Sequence, residues 1–356
     1  MTVDPDKLKL YSLLLFSKLE GAVTAGMVHI GDQLGLYRAM RSAGVAMTTV
    51  ELAEQTGLHE RWVREWAYNQ AAAKLIEVDD QQRFSLSAEG QIVLATPDHP
   101  AFGMGTFHRL PEMMESLHGV LESFSTGLGR DYDSHGLDGA VGIERSFEPW
   151  NNAFLVPSVL PALDGVVDRL RSGASVIDVG CGAGSAVLLM ATAYPNSRFV
   201  GYDISRHALE RATAKLVDSG LTNVEFCDPR QSPMASDHTV ELVTTFDCVH
   251  DMTHPQEMME SIRAALADDG TWLLVDIKAL DTFEQNARKN PMAALMYGIS
   301  VLSCMSSALS EPDGAGLGTL GLSPNVAKAM TERAGFTRLR KLDIDHSVNA
   351  FYEVRP

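Results

Sequence analysis

The chain has 356 residues, of which 45% are apolar and 21% charged, a composition typical of a globular protein with one or two domains. The formal net charge of −17 argues against a DNA or RNA partner, because phosphate binding depends on lysine and arginine. The four cysteines are scattered and form no C-x-x-C pair, which predicts reduced thiols and a cytoplasmic location.

Residues 7–43 are predicted to be helical, because large apolar side chains recur there at steps of three and four residues. Such a long apolar stripe needs a partner surface, and a second copy of the chain is one candidate. The apolar run at 10–16 mimics a signal sequence, but it is short and Lys18 and Glu20 interrupt it. We expect no apolar stretch long enough to span a membrane.

Residues 48–95 follow the order helix, turn, helix, hairpin that is typical of a winged helix. Thr48 and Glu51 fit a capping box at the start of the first helix. A second helix is predicted at 60–73, and two short strands flank a polar turn at 79–82.

A winged helix raises the alternative of DNA binding. Asp79 and Asp80 in the wing would repel phosphate, which disfavours that alternative. Trp62 and Trp66 lie one helical turn apart and are expected to face a core. Beyond this region, proline-punctuated helical pieces are predicted at 96–172, with a long loop at 124–142.

The stretch from Val176 to Gly184 reads V-I-D-V-G-C-G-A-G and predicts a buried strand, a tight turn and a helix with Ser185 as its N-cap. Such a unit usually holds an adenosine-type cofactor at the carboxyl edge of a parallel sheet. Its Gly-x-Gly-x-Gly spacing differs from the Gly-x-Gly-x-x-Gly of dinucleotide-binding turns, which disfavours a nicotinamide dehydrogenase.

From residue 175 onward, strands and helices are predicted to alternate, which indicates a parallel α/β sheet. Strands are expected at 175–179, 198–202, 223–227, 240–245 and 271–277, and helices at 185–194, 206–219 and 255–267. Two further strands, at 337–343 and 349–355, predict a terminal hairpin.

Acidic side chains end the second and third of these strands. Asp203 is well placed to accept hydrogen bonds from both hydroxyls of a ribose, and Asp228 could meet an adenine edge. The fourth strand ends near residue 245, which puts Phe246 and Asp247 beside the cofactor.

These motifs, in this order over residues 150–356, resemble the class I S-adenosylmethionine (SAM) methyltransferases, and residues 10–95 resemble the winged-helix domain of the small-molecule O-methyltransferases. The resemblance implies an α/β fold with a seven-stranded, doubly wound Rossmann-like sheet that ends in an antiparallel hairpin. It also implies a mainly helical dimerisation domain at 1–95, a helical linker at 96–172, and a SAM-binding domain at 173–356 with a cap insertion at 278–323.

The resemblance further implies SAM as the cofactor, a small, largely apolar acceptor methylated at oxygen, a homodimer, and neither a membrane nor a nucleic acid as a partner. The cofactor-binding residues would be Asp178, Gly180, Cys181, Gly182, Gly184, Asp203, Ile204, Asp228, Phe246 and Asp247. Those of the substrate pocket would be Phe147, Trp150, Tyr297 and Met305.

His250 and Asp251 align with the His-Asp pair of these enzymes, in which the histidine deprotonates the acceptor hydroxyl. The match departs from the family pattern, because no glutamate precedes the final helix to orient the histidine, and Met252 replaces an aromatic residue. The alternative is a histidine that caps or packs a helix. Together with His254 the pair could bind a metal, but no further spaced ligand is evident and no metal is predicted.

Two other functions stay open at this point. One is a SAM-binding winged-helix transcriptional regulator, and the other is a methyltransferase that acts on protein or RNA. The sequence does not identify the methyl acceptor.

Overall fold

The computed structural model describes residues 2–356, which divide into two compact units. The first unit runs to Pro111 and also includes Arg145–Trp150, while the second comprises Glu112–Glu144 and Asn151–Pro356. The predicted linker at 96–172 is therefore divided between the two units.

The first unit is mainly helical and contains the predicted winged helix. Its elements are α1 (Pro5–Gln33), α2 (Leu36–Ala43), α3 (Thr49–Thr56), α4 (Glu60–Ala72), β1 (Glu77–Val78), β2 (Phe84–Ser85), α5 (Ala88–Ala95) and α6 (Met104–His108). The predicted helix at 7–43 is two helices, because Gly35 adopts a φ of +71°. The capping box of Thr48 and Glu51 is confirmed.

Only one of the two tryptophans that were predicted to face the core of this unit is buried there. Trp66 is 3% exposed, and its indole Nε1 donates a hydrogen bond to the carbonyl of Met27 at 2.9 Å. Trp62 is 78% exposed, so the prediction that both face the core is wrong for this residue. Side chains four residues apart in a helix differ in direction by about 40° around the helix axis. At the edge of a narrow apolar stripe this difference is enough to place one of the two in solvent.

Most of α1 lies outside that core. Only Thr24, Val28, Gly31 and Asp32, near its C-terminus, are buried. The helix is long and apolar enough to cross a membrane on length and composition alone, a test that core helices and signal sequences also pass. The expectation that no stretch reaches that length is thus wrong for α1.

Along the chain, the winged helix is followed by a series of short helices before the first strand of the sheet. They are α7 (Leu110–Glu115), α8 (Leu117–Thr126), a 3₁₀ turn (Tyr132–His135), α9 (Gly136–Phe154), a π turn (Leu155–Val159), a second 3₁₀ turn (Leu160–Ala162) and α10 (Val166–Ser172). The predicted loop at 124–142 is mostly wrong, because only 127–131 is irregular. Three of the glycines that suggested a loop, Gly136, Gly139 and Gly142, lie within α9, and a Cβ on Gly139 would lie 2.7 Å from the Cβ of His135.

The second unit is built on a seven-stranded sheet, as predicted. Its strands are β3 (Ser175–Val179), β4 (Arg198–Tyr202), β5 (Val224–Cys227), β6 (Val240–Phe246), β7 (Leu266–Ile277), β8 (Arg338–Lys341) and β9 (Asn349–Arg355), in the spatial order β5-β4-β3-β6-β7-β9-β8. The first five are parallel, and β9 pairs antiparallel with both β7 and β8. The predicted terminal hairpin is confirmed.

Helices cover this sheet and form the insertion. They are α11 (Ser185–Ala193), α12 (Arg206–Ser219), α13 (Pro255–Ala265), α14 (Phe283–Lys289), α15 (Ala293–Leu302), α16 (Cys304–Ala308) and α17 (Pro324–Arg333). The N-cap of α11 is Gly184 rather than Ser185. The sheet core centres on Trp272, whose indole Nε1 donates to the hydroxyl of Thr245 at 3.0 Å. This core fixes the carboxyl edge of the sheet, where the candidate site lies.

Candidate functional site

The turn after β3 has three glycines with positive φ: +71° at Gly180, +55° at Gly182 and +74° at Gly184. A Cβ on Gly180 would lie 2.6 Å from the Cβ of Cys248, and one on Gly184 would lie 2.4 Å from the ring of Phe226. At Gly182, no atom of the described residues lies within 4 Å of that position. The turn is thus packed on two sides and open in the middle, which lets a ligand approach its backbone.

Asp203 joins this turn to the end of β4. Its Oδ2 accepts from the amide of Gly182 at 2.7 Å, and its Oδ1 accepts from the amide of Ser205 at 2.8 Å. Burial raises the pKa of Asp203 above its usual value, although both backbone hydrogen bonds oppose that shift. Each carboxylate oxygen keeps acceptor capacity for a further donor. The neighbouring Ile204 is exposed and apolar, so it offers a flat surface for a ring.

Asp178, one residue before the end of β3, is completely enclosed. In register with it on β6, Thr244 donates its hydroxyl to Asp178 Oδ1 at 2.6 Å. Burial raises the pKa of Asp178 to about 7, and the hydrogen bond from Thr244 opposes that shift only in part. A cationic ligand near this carboxylate would stabilise its charged form.

Asp228 reaches the same edge, but its carboxylate already has a partner. Arg230 donates from Nη2 to Asp228 Oδ2 at 2.8 Å and also to the carbonyl of Ile204 at 2.8 Å. These hydrogen bonds lower the pKa of Asp228 below its usual value. Arg230, which the sequence did not single out, therefore ties the ends of β4 and β5 together, and the role of Asp228 near an adenine stays a prediction.

Residues 129–135, here called the strap, are attached to two parts of the second unit. At one end the amide of Gly129 donates to the carbonyl of Leu309 at 2.7 Å, and a Cβ on this glycine would collide with Ser306. At the other, Asp133 Oδ1 accepts from the hydroxyl of Ser205 and the amide of Arg206, each at 3.0 Å.

His135 at the end of the strap is buried between two partners. Its Nδ1 lies 2.6 Å from Glu112 Oε1, and its Nε2 lies 3.1 Å from the hydroxyl of Ser303. This histidine is therefore a packed residue that holds the strap.

His250 lies in a 3₁₀ turn, Val249–Asp251, just after β6 and is 2% exposed. Its Nδ1–H donates to Asp276 Oδ1 at 2.6 Å, and the same oxygen accepts from the amide of Ile277 at 2.8 Å. The orienting carboxylate that the sequence appeared to lack is thus supplied by Asp276, near the end of β7. Its only signal in the sequence was an acid closing the apolar run W-L-L-V-D.

The electrostatic environment of His250 is dominated by that carboxylate. Burial alone would lower the pKa of the imidazole, but Asp276 and the neighbouring thiol of Cys304 raise it well above the usual value. Asp276 Oδ2 is buried and has no hydrogen-bond partner among the described residues. The pair is therefore held in place by hydrogen bonds, and Asp276 supplies a negative charge that favours the imidazolium form of the ring.

Asp247 adds to this charge. It has a φ of +51°, and its Oδ1 accepts a hydrogen bond from the side-chain Nδ2 of Asn349. Burial and the nearby Asp276 raise the pKa of Asp247 to about 7. Phe246, before it, is half-buried. Five carboxylates (Asp178, Asp203, Asp247, Asp251 and Asp276) thus belong to this edge of the sheet, which favours a positively charged ligand.

The insertion brings α16 onto the turn that carries His250. The amide of Gly318 donates to the carbonyl of His250 at 3.2 Å, and a Cβ on Gly318 would touch the Cβ of Met305 at 3.3 Å. Met305, predicted for the substrate pocket, therefore lies near the turn that carries His250, and its contact with an acceptor stays a prediction. Cys304, which was not predicted, lies beside the ring itself.

The other predicted pocket residues occupy different places. The ring of Tyr297 packs on Phe283 with a centroid distance of 5.8 Å and lines a groove of about 700 Å³ on the insertion. Phe147 and Trp150 are half-buried on α9, in the part that belongs to the first unit. Their contribution to an acceptor pocket stays a prediction.

The cysteines are all free. Cys181 and Cys248 flank the glycine turn, and Cys248 Sγ donates to the carbonyl of Val179 at 3.2 Å. Burial raises the pKa of both thiols well above the usual value, so both are neutral packing groups.

Comparisons with known proteins agree with this geometry. A family model described as a methyltransferase domain matches residues 170–335, and one described as an Rv2258c-like winged HTH domain matches residues 22–96. Among curated relatives, the ubiquinone biosynthesis O-methyltransferase of Leptothrix cholodnii is 26% identical over 170 residues, which cover 47% of this chain and 67% of that protein. The first curated relatives are matched over only about a fifth to a third of their own length.

Solved structures match along the whole chain. The mitomycin 7-O-methyltransferase MmcR has a TM-score of 0.70 at 18% identity and 99% coverage of both chains. Human N-acetylserotonin methyltransferase, solved in complex with SAM, has a TM-score of 0.66 at 16% identity, with 99% of this chain and 98% of that chain covered. A putative O-methyltransferase from Nostoc punctiforme reaches 0.72 at 14% identity with full coverage of both. At these identities the likeness shows the fold.

Proposed function

Because the chain belongs to the methyltransferases that carry an N-terminal winged-helix domain, we propose that it transfers the methyl group of SAM to an oxygen of a small, largely apolar molecule. The observation that carries this proposal is the buried pair of His250 and Asp276 at the edge of the sheet where the glycine turn lies. A general base and an adenosine-binding turn at one edge are what O-methylation requires.

The residues of the turn fit SAM by their shape and charge. The open space in front of Gly182 admits a ligand to the backbone, and Asp203 has acceptor capacity for ribose hydroxyls. The enclosed carboxylates of Asp178 and Asp247, with pKa values of about 7, suit a ligand that is cationic at its sulfur and amino groups. Exposed Ile204 would cover one face of the adenine.

When bound, SAM supplies an electrophilic methyl group, and the protein supplies alignment and one base. Asp276 accepts from Nδ1–H of His250, so the neutral ring carries its lone pair on Nε2. Because the pKa of His250 is raised well above its usual value, this neutral form is favoured as the pH rises. That nitrogen would accept the proton of the acceptor hydroxyl, whose oxygen would take the methyl group as its bond to sulfur breaks and S-adenosylhomocysteine leaves. Asp276 then stabilises the imidazolium that forms.

A panel experiment tests the proposal. Purified protein is incubated with SAM and with phenols, aliphatic alcohols, amines and thiols of similar size, and S-adenosylhomocysteine is quantified. We expect turnover with hydroxylated aromatic compounds, and loss of it in His250→Ala with SAM affinity retained. Turnover only with amines or thiols, or undiminished turnover in His250→Ala, would contradict O-methylation by this base.

The winged helix offers little to DNA, which disfavours the regulator alternative. On α4, the arginines form ion pairs one helical turn apart: Arg61 with Glu65 and Arg64 with Glu60. The paired guanidiniums are not available to neutralise phosphates without breaking these contacts. A fluorescence-anisotropy titration with duplex DNA should therefore show no binding at moderate salt.

We propose that a second copy of the chain covers α1. Nine large apolar side chains on its outer part are more than half exposed: Leu8, Leu10, Tyr11, Leu13, Leu14, Leu15, Phe16, Leu19 and Val23. Lys18 and Glu20 lie in the middle of this stretch, and a charged residue at a bilayer centre costs about 2.5–3.5 kcal/mol, which favours a protein partner over a membrane. We also propose a cytoplasmic location, which suits four free thiols.

Sedimentation velocity tests the dimer. We expect the wild-type protein to sediment as a dimer at micromolar concentration and the double variant Leu13→Glu/Phe16→Glu as a folded monomer. Lys18→Glu, an exposed charge reversal on the same helix, serves as the control for charge alone. A wild-type monomer, or a double variant that stays dimeric, would contradict the proposal.

A further inference from the structure

Two potential metal ligands, Asp251 and Cys304, lie beside the His250 ring and form with it a group of three. A ring nitrogen of His250, a carboxylate oxygen of Asp251 and the Sγ of Cys304 all lie within 4.8 Å of one another. We propose that this His–Asp–Cys cluster binds a zinc-class divalent cation. The sequence had suggested His254 as the third ligand, but His254 pairs with Glu311 at 3.1 Å, and the insertion brings Cys304 to the ring.

The donor set selects the class of cation. One imidazole nitrogen, one carboxylate oxygen and one thiolate sulfur suit Zn²⁺ or Co²⁺, whereas Mg²⁺ and Ca²⁺ prefer oxygen alone. Three protein ligands leave a fourth tetrahedral position open for water or another small ligand. Exchangeable zinc sites have this arrangement, and structural sites with four protein ligands do not.

The surroundings of His250 are those of a metal-binding histidine. Such a residue nearly always donates its other ring N–H to a carboxylate, which fixes the ring and makes it a better ligand. Asp276 accepts from Nδ1 at 2.6 Å, and the Ile277 amide holds the accepting oxygen in place. Nε2 is thus the nitrogen directed toward a cation.

The cluster is close enough to close around an ion and open enough to be reached. Metal–ligand bonds of about 2.0–2.3 Å place tetrahedral ligand atoms about 3.5 Å apart. Ligand atoms of this cluster that lie 4.8 Å apart would therefore have to approach one another by about 1 Å. Cys304 begins the five-residue helix α16 and is partly exposed, as is Asp251, while His250 is buried. A small movement of the short helix supplies the adjustment.

A cation at this position has a consequence for methyl transfer that rests on the proposed function. It occupies the Nε2 lone pair that the base uses, so metal binding and proton abstraction by His250 exclude each other. Zinc should therefore inhibit turnover. If saturating zinc left turnover unchanged, this consequence would be refuted while the site itself could still be measured directly.

Cobalt binding tests the site without any acceptor. Full-length protein is stripped of metal, kept reduced with a phosphine, and titrated with Co²⁺. We expect one equivalent to give a thiolate-to-cobalt charge-transfer absorption that one equivalent of Zn²⁺ removes. Cys304→Ser should abolish this absorption with the fold retained, as judged by thermal melting, and Asp276→Asn should weaken binding about 10- to 100-fold.

His254→Gln is the matched control, because His254, Glu311 and Asp313 form a second, more exposed group of potential ligands without sulfur. This variant should keep the full charge-transfer absorption. The proposal is overturned if Co²⁺ gives no such absorption, if it persists in Cys304→Ser, or if it disappears in His254→Gln. Each of these results is independent of whether the protein transfers methyl groups.

Discussion

Replacing Asp276 by asparagine should change the acid–base behaviour of His250 while leaving its position almost unchanged. The two side chains approach to 2.6 Å, and charges at that distance attract by about 6 kcal/mol at an effective dielectric constant of 20. Desolvation of the buried pair offsets part of this attraction, and a single opposite charge typically shifts a pKa by about 1–3 units. The imidazole pKa should therefore fall by about 1–3 units in Asp276→Asn.

Two measurements follow this change. Nuclear magnetic resonance of the histidine ring reports the pKa of His250 directly and needs no acceptor. For an acceptor identified in the panel, the acidic limb of the pH–rate profile should move to lower pH by the same amount, and the maximal rate should fall about 10- to 1000-fold because a weaker, less oriented base remains.

The matched control is Glu311→Gln, which removes the carboxylate partner of the more exposed His254. Hydrogen bonding to Glu311 raises the pKa of His254, so this pKa should fall in the control while that of His250 and the turnover stay unchanged. The reasoning is refuted if Asp276→Asn leaves both the pKa of His250 and the pH–rate profile as they are in the wild type.

Three further predictions concern the carboxylates around the glycine turn. Asp203→Asn should weaken SAM binding about 10- to 100-fold by calorimetry, since a hydrogen bond to a charged group contributes about 1.5–3 kcal/mol. The control Asp218→Asn, on the exposed face of α12, should leave SAM affinity unchanged. Equal SAM affinities of Asp203→Asn and the wild type would exclude a ribose contact. SAM binding at pH 6.5 should release protons, because a cation favours the ionised forms of Asp178 and Asp247, both with a pKa of about 7; a calorimetric enthalpy independent of buffer would contradict this. In the ligand-free protein the pKa of Asp178 rises from 3.8 to about 7, so ionisation destabilises the fold increasingly between pH 4 and 7. Asp178→Asn should therefore raise Tm at pH 8 but not near pH 4, and an equal Tm at pH 8 would contradict the assignment.

The parts of the fold that the sequence predicted best are those determined by local patterns. The bounds of β3, β4 and α12 match the expectation residue for residue, because apolar strands, glycine turns and amphipathic helices alternate there with clear punctuation. The glycine turn itself followed from spacing alone. The loop expected at 124–142 failed because glycine in a sequence signals both a turn and a close helix contact, and only the packed structure separates the two.

The residues of the site that the sequence missed are those brought in from a distance along the chain. Asp276 is 26 residues from His250, and Cys304 is 54 residues from it, so neither contact leaves a pattern in sequence spacing. Asp276 was hidden further because an acid at a strand end is common. The glutamate missing before the final helix suggested an incomplete site, whereas in the structure Asp276, near the end of β7, is hydrogen-bonded to His250.

The strap has a consequence for how the cofactor is held. Its attachments lie on both sides of β3: Asp133 is bonded to the start of α12, after β4, and Gly129 to Leu309, just after the helix that carries Cys304. Ser205 donates its amide to Asp203 and its hydroxyl to Asp133, so the strap is joined through one residue to the carboxylate proposed for the ribose. We therefore expect substitutions in the seven residues of the strap to alter cofactor affinity through Ser205, although none of these residues is proposed to touch the reacting atoms.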